Sequence, residues 1–205
     1  MNVTVLEHPL ASHYLTVLRD ETTAPADFRR ATTSLGGLLA VEATSGLTVA
    51  MGSVTTPMGA TTGYSLESRV AVVPVLRAGL GLLQPFLDLL PSSAVGFVGV
   101  ARNHESALPE QYYVNLPDPL ATAIVLEPML ATGGSLAWAV DAVKRAGAVQ
   151  IVCISVVAAP QGIAHMKERH PDIRIITAAI DEGLNDTFYI VPGLGDMGDR
   201  LFGTI

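Results

Sequence analysis

The segment best suited to do chemistry reads Ala123-Ile-Val-Leu-Glu-Pro-Met-Leu-Ala-Thr-Gly-Gly-Ser135. An apolar run ends in the acid Glu127, a turn of small residues follows, and a helix is predicted to begin at Ser135. Free backbone N–H groups at the start of a helix attract a phosphate group, and the helix dipole adds to this attraction. Glycines allow the phosphate to approach closely. The residues alone leave an ordinary strand-to-helix turn, capped by Ser135, equally open.

Two arginines stand where predicted strands end. Arg77 follows the apolar residues 70–76, and Arg102 follows the apolar residues 95–101. A guanidinium group offers a planar fork of N–H donors that fits phosphate oxygens. A lone surface arginine is more commonly an ion-pair partner, so the residue type by itself does not assign phosphate binding.

A glycine-rich segment near the C-terminus, Gly193-Leu-Gly-Asp-Met-Gly198, has the spacing G-x-G-x-x-G. We do not expect a dinucleotide site, because the seven residues that follow leave no room for the helix, strand and acid of such a site. A tight glycine loop can instead offer backbone N–H and C=O groups to the edge of a flat nucleobase. The alternative is a C-terminal turn with capping aspartates.

Alternating strand and helix patterns must position these segments. Residues 1–45 are predicted to be helical, residues 47–68 to form short strands, and residues 107–119, with three prolines, to form a projecting hairpin or flap. Apolar strands that alternate with helices predict an α/β fold with a mostly parallel sheet, which binds ligands at the carboxyl ends of its strands. Strands are predicted over 70–76, 94–100, 121–127, 149–158 and 173–180, and helices over 79–90, 135–145 and 160–169.

Composition limits the classes of function. Residues 1–205 are expected to form one domain, and a chain that is 49% hydrophobic and 15% charged is expected to cover apolar surface in an oligomer. The net charge of −7 counts against nucleic-acid binding, which needs basic patches. Cys153 lies in an apolar run and is expected to be a buried structural thiol. No signal peptide or membrane span is predicted, and the cytoplasm is the expected location.

Residues 127–135 closely resemble the loop that binds PRPP (5-phosphoribosyl 1-diphosphate) in uracil phosphoribosyltransferases. The resemblance covers most of the chain and is weaker over residues 47–68. It implies a phosphoribosyltransferase-type α/β fold: a central, mostly parallel sheet flanked by helices, with a small hood or flap made of N- and C-terminal segments and a hairpin. It also implies transfer of the phosphoribosyl group of PRPP to uracil N1, giving UMP and diphosphate. Further matches lie at residues 73–81, 99–103, 158–163, 180–185 and 189–199.

The resemblance implies roles for individual residues. Asp196 and Arg102 would be catalytic, with Asp196 accepting or orienting the base proton. The five histidines show no metal-ligand spacing, and the cofactor Mg²⁺ is expected to arrive bound to PRPP. Uracil would contact Ile190, Gly195, Asp196 and Met197. PRPP would contact Arg77, Arg102, Glu127, Pro128, Met129, Leu130, Ala131, Thr132, Gly133, Gly134, Ser135 and Asp196.

The chain departs from the family pattern at several points. Glu127 stands where members usually have Asp, Met197 where Ala is common, and Phe188 where Gly is common. Residues 31–68 contain no Lys or Arg, although some members use a basic flap residue near this region. Members form homodimers or homotetramers and some are activated by GTP, so an oligomer and a possible GTP activator are expected besides PRPP and uracil.

Two other functions stay open at this point. One is a PRPP- or UMP-binding regulator of pyrimidine genes that binds RNA. The composition counts against it, because the chain has only 12 Lys and Arg residues, without a basic cluster, and 19 Asp and Glu residues. The other is a phosphoribosyltransferase for another base. A purine enzyme would usually show two adjacent acids before its phosphate loop, whereas here Glu127 is followed by Pro128.

Overall fold

The computed structural model describes residues 1–67, 69–102 and 109–204, with the backbone alone at 101–102 and 109–112. In chain order the elements are β1 (Asn2–Val5), α1 (Pro9–Arg19), α2 (Pro25–Thr44), β2 (Val49–Thr56), β3 (Gly59–Leu66), β4 (Val70–Leu76), α3 (Leu80–Leu89), β5 (Ala94–Val95), β6 (Phe97–Arg102), β7 (Pro109–Asn115), β8 (Thr122–Leu126), β9 (Met129–Leu130), α4 (Gly134–Arg145), β10 (Gln150–Ala158), α5 (Pro160–Arg169), β11 (Arg174–Ile180), β12 (Gly183–Leu184), β13 (Ile190–Val191) and α6 (Met197–Phe202).

Within the described ranges, nine strands form a central sheet. The order across it is β1-β11-β10-β8-β4-β6-β7, with β5 beside β4 and β9 beside β10. Neighbouring strands run parallel except for β7, which is antiparallel to β6. The carboxyl ends of β4, β8 and β10 therefore lie side by side at one edge.

Helices cover both faces of the sheet. Along β4, Val70 and Val72 pack into a core with α1, α2 and α3, whereas Ala71, Val73 and Val75 pack into a second core with α4 and α5. This alternation follows from the two-residue period of a strand. The predicted α/β fold with a mostly parallel, doubly covered sheet is confirmed.

Cys153 belongs to the second core and is fully buried. Burial raises the pKa of its thiol far above the ordinary value, because the thiolate would lose its hydration. The prediction of an unreactive structural cysteine is confirmed.

The sequence predictions were wrong at short or irregular elements. Residues 1–45 are not all helical, because β1 pairs in parallel with β11 at the sheet edge. The strand predicted over 94–100 is two strands, β5 and β6, separated at Gly96. The hairpin predicted over 107–119 is present in part, as the antiparallel pair β6–β7, whose β7 strand belongs to the central sheet; residues 103–108 lie outside the described residues. The helix α6 was not predicted.

The strands β2 and β3 form a separate hairpin in which every residue but Gly63 is exposed. The register pairs Val49 with Leu66 and Met51 with Tyr64. Directly paired residues point to the same side of a hairpin, so these four side chains share one face. No helix in the described part of the chain is long and apolar enough to cross a membrane. That residues 1–205 form one domain stays a prediction.

Candidate active site

The phosphate loop, residues 127–135, connects β8 to α4. Its backbone is fixed by β10 and the residues that follow it. Pro128 O accepts a hydrogen bond from Val156 N (2.8 Å), Leu130 O accepts one from Ala159 N (2.8 Å), and the Ser155 hydroxyl donates to Glu127 O (2.8 Å). The carbonyl groups on this side of the loop are therefore satisfied within the protein.

The amides of residues 132–136, by contrast, donate to no acceptor in the described parts of the chain. The first amide of α4 to do so is that of Ala137, which bonds to Gly133 O at 2.8 Å. Gly133 has φ +86°, a conformation that side chains disfavour, and it turns the chain into the helix. A cavity of about 90 Å³, the phosphate cavity, lies over these amides. Its lining is Glu127 and Met129, Leu130, Ala131, Thr132, Gly133, Gly134, Ser135 and Leu136.

Glu127 is the acid at the start of this loop. The residue is partly exposed, but burial of its carboxyl group raises the pKa to about 8, and a hydrogen bond from Met129 N offsets only part of that effect. The carboxylate loses hydration, and none of the described side chains offers it a cation in exchange. Near neutral pH this side chain can therefore hold a proton and donate a hydrogen bond.

The base loop, residues 193–197, lines a second cavity of about 280 Å³ beside the first. This base cavity brings together all four residues predicted to contact uracil: Ile190, Gly195, Asp196 and Met197. Met197 lines the cavity, but it is almost fully buried and belongs to the hydrophobic core that α1, α2 and α3 form with the sheet. The remaining lining is Ala78, Met129, Ala131, Thr187, Phe188, Tyr189 and Gly198.

The two cavities meet. Met129 and Ala131 line both of them, so the phosphate loop and the base loop share one cleft at the carboxyl ends of the strands. Larger cavities of about 580 and 570 Å³ lie elsewhere, at residues 66–94 and around Arg174. Neither is lined by any residue predicted for substrate binding.

Asp196 and Arg77 meet at the start of α6. Asp196 caps this helix, since its Oδ1 accepts a hydrogen bond from Asp199 N at 2.9 Å. Arg77 lies just after β4 and pairs with Asp199 (Nη2 to Oδ1, 3.1 Å). The Thr204 hydroxyl, and after it the Arg77 guanidinium, lowers the pKa of Asp199 despite some burial. Asp199 thus holds Arg77, which is half exposed, close to Gly198 of the base cavity, although Arg77 itself lines neither the base cavity nor the phosphate cavity.

Arg102 is the last residue of β6, which lies directly next to β4 in the sheet. The prediction that its side chain contacts diphosphate lies outside what the structure describes. Sequence reasoning missed Asp199, although its position three residues after Asp196 is the spacing of a helix cap. It also missed Ala78, Thr187 and Tyr189 in the base cavity, each of which adjoins a segment already singled out.

A mostly parallel α/β sheet, in which a loop of free amides lies beside a cavity lined by a glycine-rich segment, is the arrangement of the phosphoribosyltransferase class. Solved structures agree at the level of the fold. The adenine phosphoribosyl transferase of Trypanosoma brucei, in complex with AMP, pyrophosphate and ribose-5-phosphate, superposes with a TM-score of 0.61 at 13% identity over 95% of this chain and 88% of that one. The AQ2163 protein of Aquifex aeolicus gives a TM-score of 0.93 at 35% identity over 98% and 97%.

Sequence comparison identifies the family. The family model described as uracil phosphoribosyltransferase matches residues 5–204. The uracil phosphoribosyltransferase of Alkaliphilus oremlandii is 47% identical over 98% of each chain, and that of Finegoldia magna is 45% identical over 98% of each chain. The chain belongs to the uracil phosphoribosyltransferase family.

Proposed function

We propose that this protein transfers the 5-phosphoribosyl group of PRPP to uracil N1 and releases UMP and diphosphate, a reaction of pyrimidine salvage. The observation that carries the proposal is the shared cleft, in which Met129 and Ala131 line the phosphate cavity and the base cavity together. A sugar phosphate held by the loop amides would point its ribose toward a base held beside Asp196.

In the reaction, the bond between C1′ and the diphosphate oxygen breaks and a bond between uracil N1 and C1′ forms. The ribose carries positive charge in the transition state while negative charge moves onto the diphosphate. Arg77 and Arg102 would stabilise that leaving group, because a guanidinium group binds phosphate oxygens with two N–H donors. The phosphate loop would hold the 5′-phosphate in place, so that much of the catalysis is positioning.

Uracil N1 must also lose its proton. Asp196 is the candidate to accept or orient it, since its carboxylate lines the base cavity and is held by the amide of Asp199. The backbone groups of Gly195 and Met197 would contact the edge of the ring. The buried Glu127 would lie at the ribose side of the cleft, where a protonated carboxyl can donate to a hydroxyl group.

The expected cofactor is Mg²⁺, which when bound to PRPP neutralises charge on the departing diphosphate. Across the described ranges, no three His, Cys, Asp or Glu side chains converge. Magnesium sites for phosphates keep few protein ligands, and Asp196, which lines the base cavity, fits such an ion carried by its substrate.

The direct test is incubation with PRPP, Mg²⁺ and labelled uracil, with labelled UMP as the expected product. Competition by hypoxanthine and guanine tests transfer to another base, and an RNA gel shift tests the regulatory alternative. Failure to form UMP under these conditions would defeat the proposal.

Two substitutions test the assigned residues. Arg102→Ala is expected to reduce turnover sharply with little change in the thermal midpoint, because a charged contact to the leaving group is lost. Asp196→Asn is expected to weaken substrate binding in a protein that still folds. Unchanged kinetics of Arg102→Ala would show that the diphosphate assignment is wrong.

A homodimer or homotetramer is proposed as the functional form. The exposed apolar face of the β2–β3 hairpin, formed by Val49, Met51, Tyr64 and Leu66, supports it, because isolated two-stranded hairpins are marginally stable. Activation by GTP and a cytoplasmic location stay predictions.

A further inference from the structure

The base loop is held by Arg19 of the N-terminal helix together with the side chains of Asp181 and Arg200. Arg19, the last residue of α1, and Asp181, which directly follows β11, form an ion pair with two short contacts, 2.8 Å and 2.6 Å. The Asp181 side chain is only 5% exposed. Burial would raise the pKa of Asp181, but the hydrogen bonds from Arg19 and Gly193 N and the charge of Arg19 together outweigh it, and the pKa is lowered.

This pair binds both backbone groups of Gly193. Arg19 Nη1 donates to Gly193 O at 2.7 Å, and Gly193 N donates to Asp181 Oδ2 at 2.9 Å. Gly193 has φ +61°, and a Cβ atom there would lie 2.1 Å from Ile190 O. The chain must therefore turn at this residue with its amide and carbonyl facing the ion pair.

A second arginine holds the next carbonyl. Arg200 donates to Leu194 O (2.7 Å), to Asp20 O (2.6 Å) and to Leu18 O, and it stacks over the ring of Phe28 at 4.3 Å. The first two residues of the base loop thus bind the end of α1, whereas the next three line the base cavity. One half of the loop is an anchor and the other half is a wall of the cavity.

We propose that Arg19 and Asp181 are positioning residues for nucleobase binding, which act by fixing Gly193 so that residues 195–197 meet the edge of the base. The inference rests on the proposed function, since it assigns residues 195–197 to the base. A charged bidentate pair that satisfies two main-chain groups is costly to weaken, so its loss would shift the loop and impair uracil binding before it impairs PRPP binding.

The test compares Arg19→Lys and Asp181→Asn with wild type in steady-state kinetics, thermal denaturation and hydrogen exchange of the segment 190–195. Lysine keeps the charge but cannot form the fork. We expect the KM for uracil to rise about tenfold or more, which corresponds to one charged hydrogen bond, while the KM for PRPP and the thermal midpoint change little. Exchange in the segment should accelerate.

Arg169→Lys is the control for the change from arginine to lysine, because Arg169 forms an ion pair with Asp141 (2.5 Å) through a single, more exposed contact between α4 and α5. The inference is overturned if the KM for uracil stays within about twofold of wild type, or if both KM values rise together with a loss of thermal stability. If wild-type protein forms no UMP, the proposed function fails instead. Exchange in the segment 190–195 then decides the inference alone, and unchanged exchange overturns it.

Discussion

Glu127 combines two properties that rarely occur together: it is an acid at a phosphate site, and its carboxyl group is buried with a pKa raised to about 8. A protonated Glu127 adds no negative charge next to the incoming phosphate. Above pH 8 the same residue would be anionic and would repel it. Binding of PRPP and folding are therefore both expected to depend on this one proton.

The folded-state pKa of Glu127 lies above its ordinary value of 4.5, so the neutral form stabilises the fold fully below pH 4.5, and this contribution is lost as the pH rises through about 8. Glu127→Gln keeps a neutral side chain at every pH. We expect the thermal midpoint of the variant, relative to wild type, to increase from pH 5 to pH 9 without ligand. The substitution of an exposed residue, Glu21→Gln, is the control. If the thermal midpoint of Glu127→Gln differs from that of wild type by the same amount at pH 5 and pH 9, the raised pKa of Glu127 is contradicted.

Phe188 lines the base cavity and has a left-handed backbone conformation, with φ +65°. That conformation costs a side-chain-bearing residue about 1–2 kcal/mol, and the Asn185 side chain holds the turn by accepting from Thr187 N and Tyr189 N. Phe188→Gly removes both the strain and the wall. We expect a several-fold higher KM for uracil with no loss of thermal stability, measured by kinetics and calorimetry; a fall in the thermal midpoint would argue that the ring serves the fold.

At the scale of elements, the turn from β8 into α4 decides whether the loop amides can converge on an anion. Gly133 makes that turn with φ +86°, and a Cβ atom there would lie 3.0 Å from Gly162 O on α5. The α5 helix therefore packs directly against the phosphate loop. Any residue but glycine at position 133 would have to displace one of the two.

Gly133→Ala is expected to raise the Kd for PRPP more than about tenfold and to lower stability, because left-handed strain and a tight contact combine. Gly37→Ala is the matched control: Gly37 lies in α2 with open space around its Cβ position, and alanine there should stabilise the helix by about 0.5–1 kcal/mol. Isothermal titration with PRPP and thermal denaturation measure both effects. Equal PRPP affinity in the two variants would contradict the role of the loop.

The regular elements were predictable because their patterns are local. Residues 70–76 and 160–169 were predicted with the bounds that β4 and α5 have. The segment around Glu127 was assigned to PRPP from its position after a strand and from the family resemblance, and the segment around Asp196 was assigned to uracil from its glycines and the same resemblance. Contacts between residues that lie far apart in the sequence were not predictable. Arg19 contacts Gly193 across 174 positions, and no periodicity or spacing connects them. The short elements β1 and α6 hold too few residues to show a period.

At the scale of the whole molecule, the β2–β3 hairpin is the most exposed apolar feature of the described chain. Met51 is 75% exposed and Tyr64 66%, and both lie on the same face. Exposed apolar patches of this kind mark interfaces. A second copy of the chain is the partner that the composition predicts.

Met51→Glu combined with Tyr64→Glu is therefore expected to yield a smaller species than wild type in size-exclusion chromatography with light scattering, since two buried charges destabilise an apolar contact. Ala50→Glu with Ser65→Glu is the matched control, because this pair lies opposite each other on the other face of the same hairpin. If both double variants keep the mass of wild type, the hairpin face is not the interface.

The contacts of Arg19 with Gly193 also imply an order in which the phosphate loop and the base loop can form during synthesis on the ribosome. The described partners that bond to or pack against the phosphate loop lie within residues 127–165, so that loop can form while the tail is still being translated. The nucleobase wall needs the first twenty residues and the last fifteen at once. During synthesis, the proposed phosphate site would therefore be complete before the proposed site for the nucleobase.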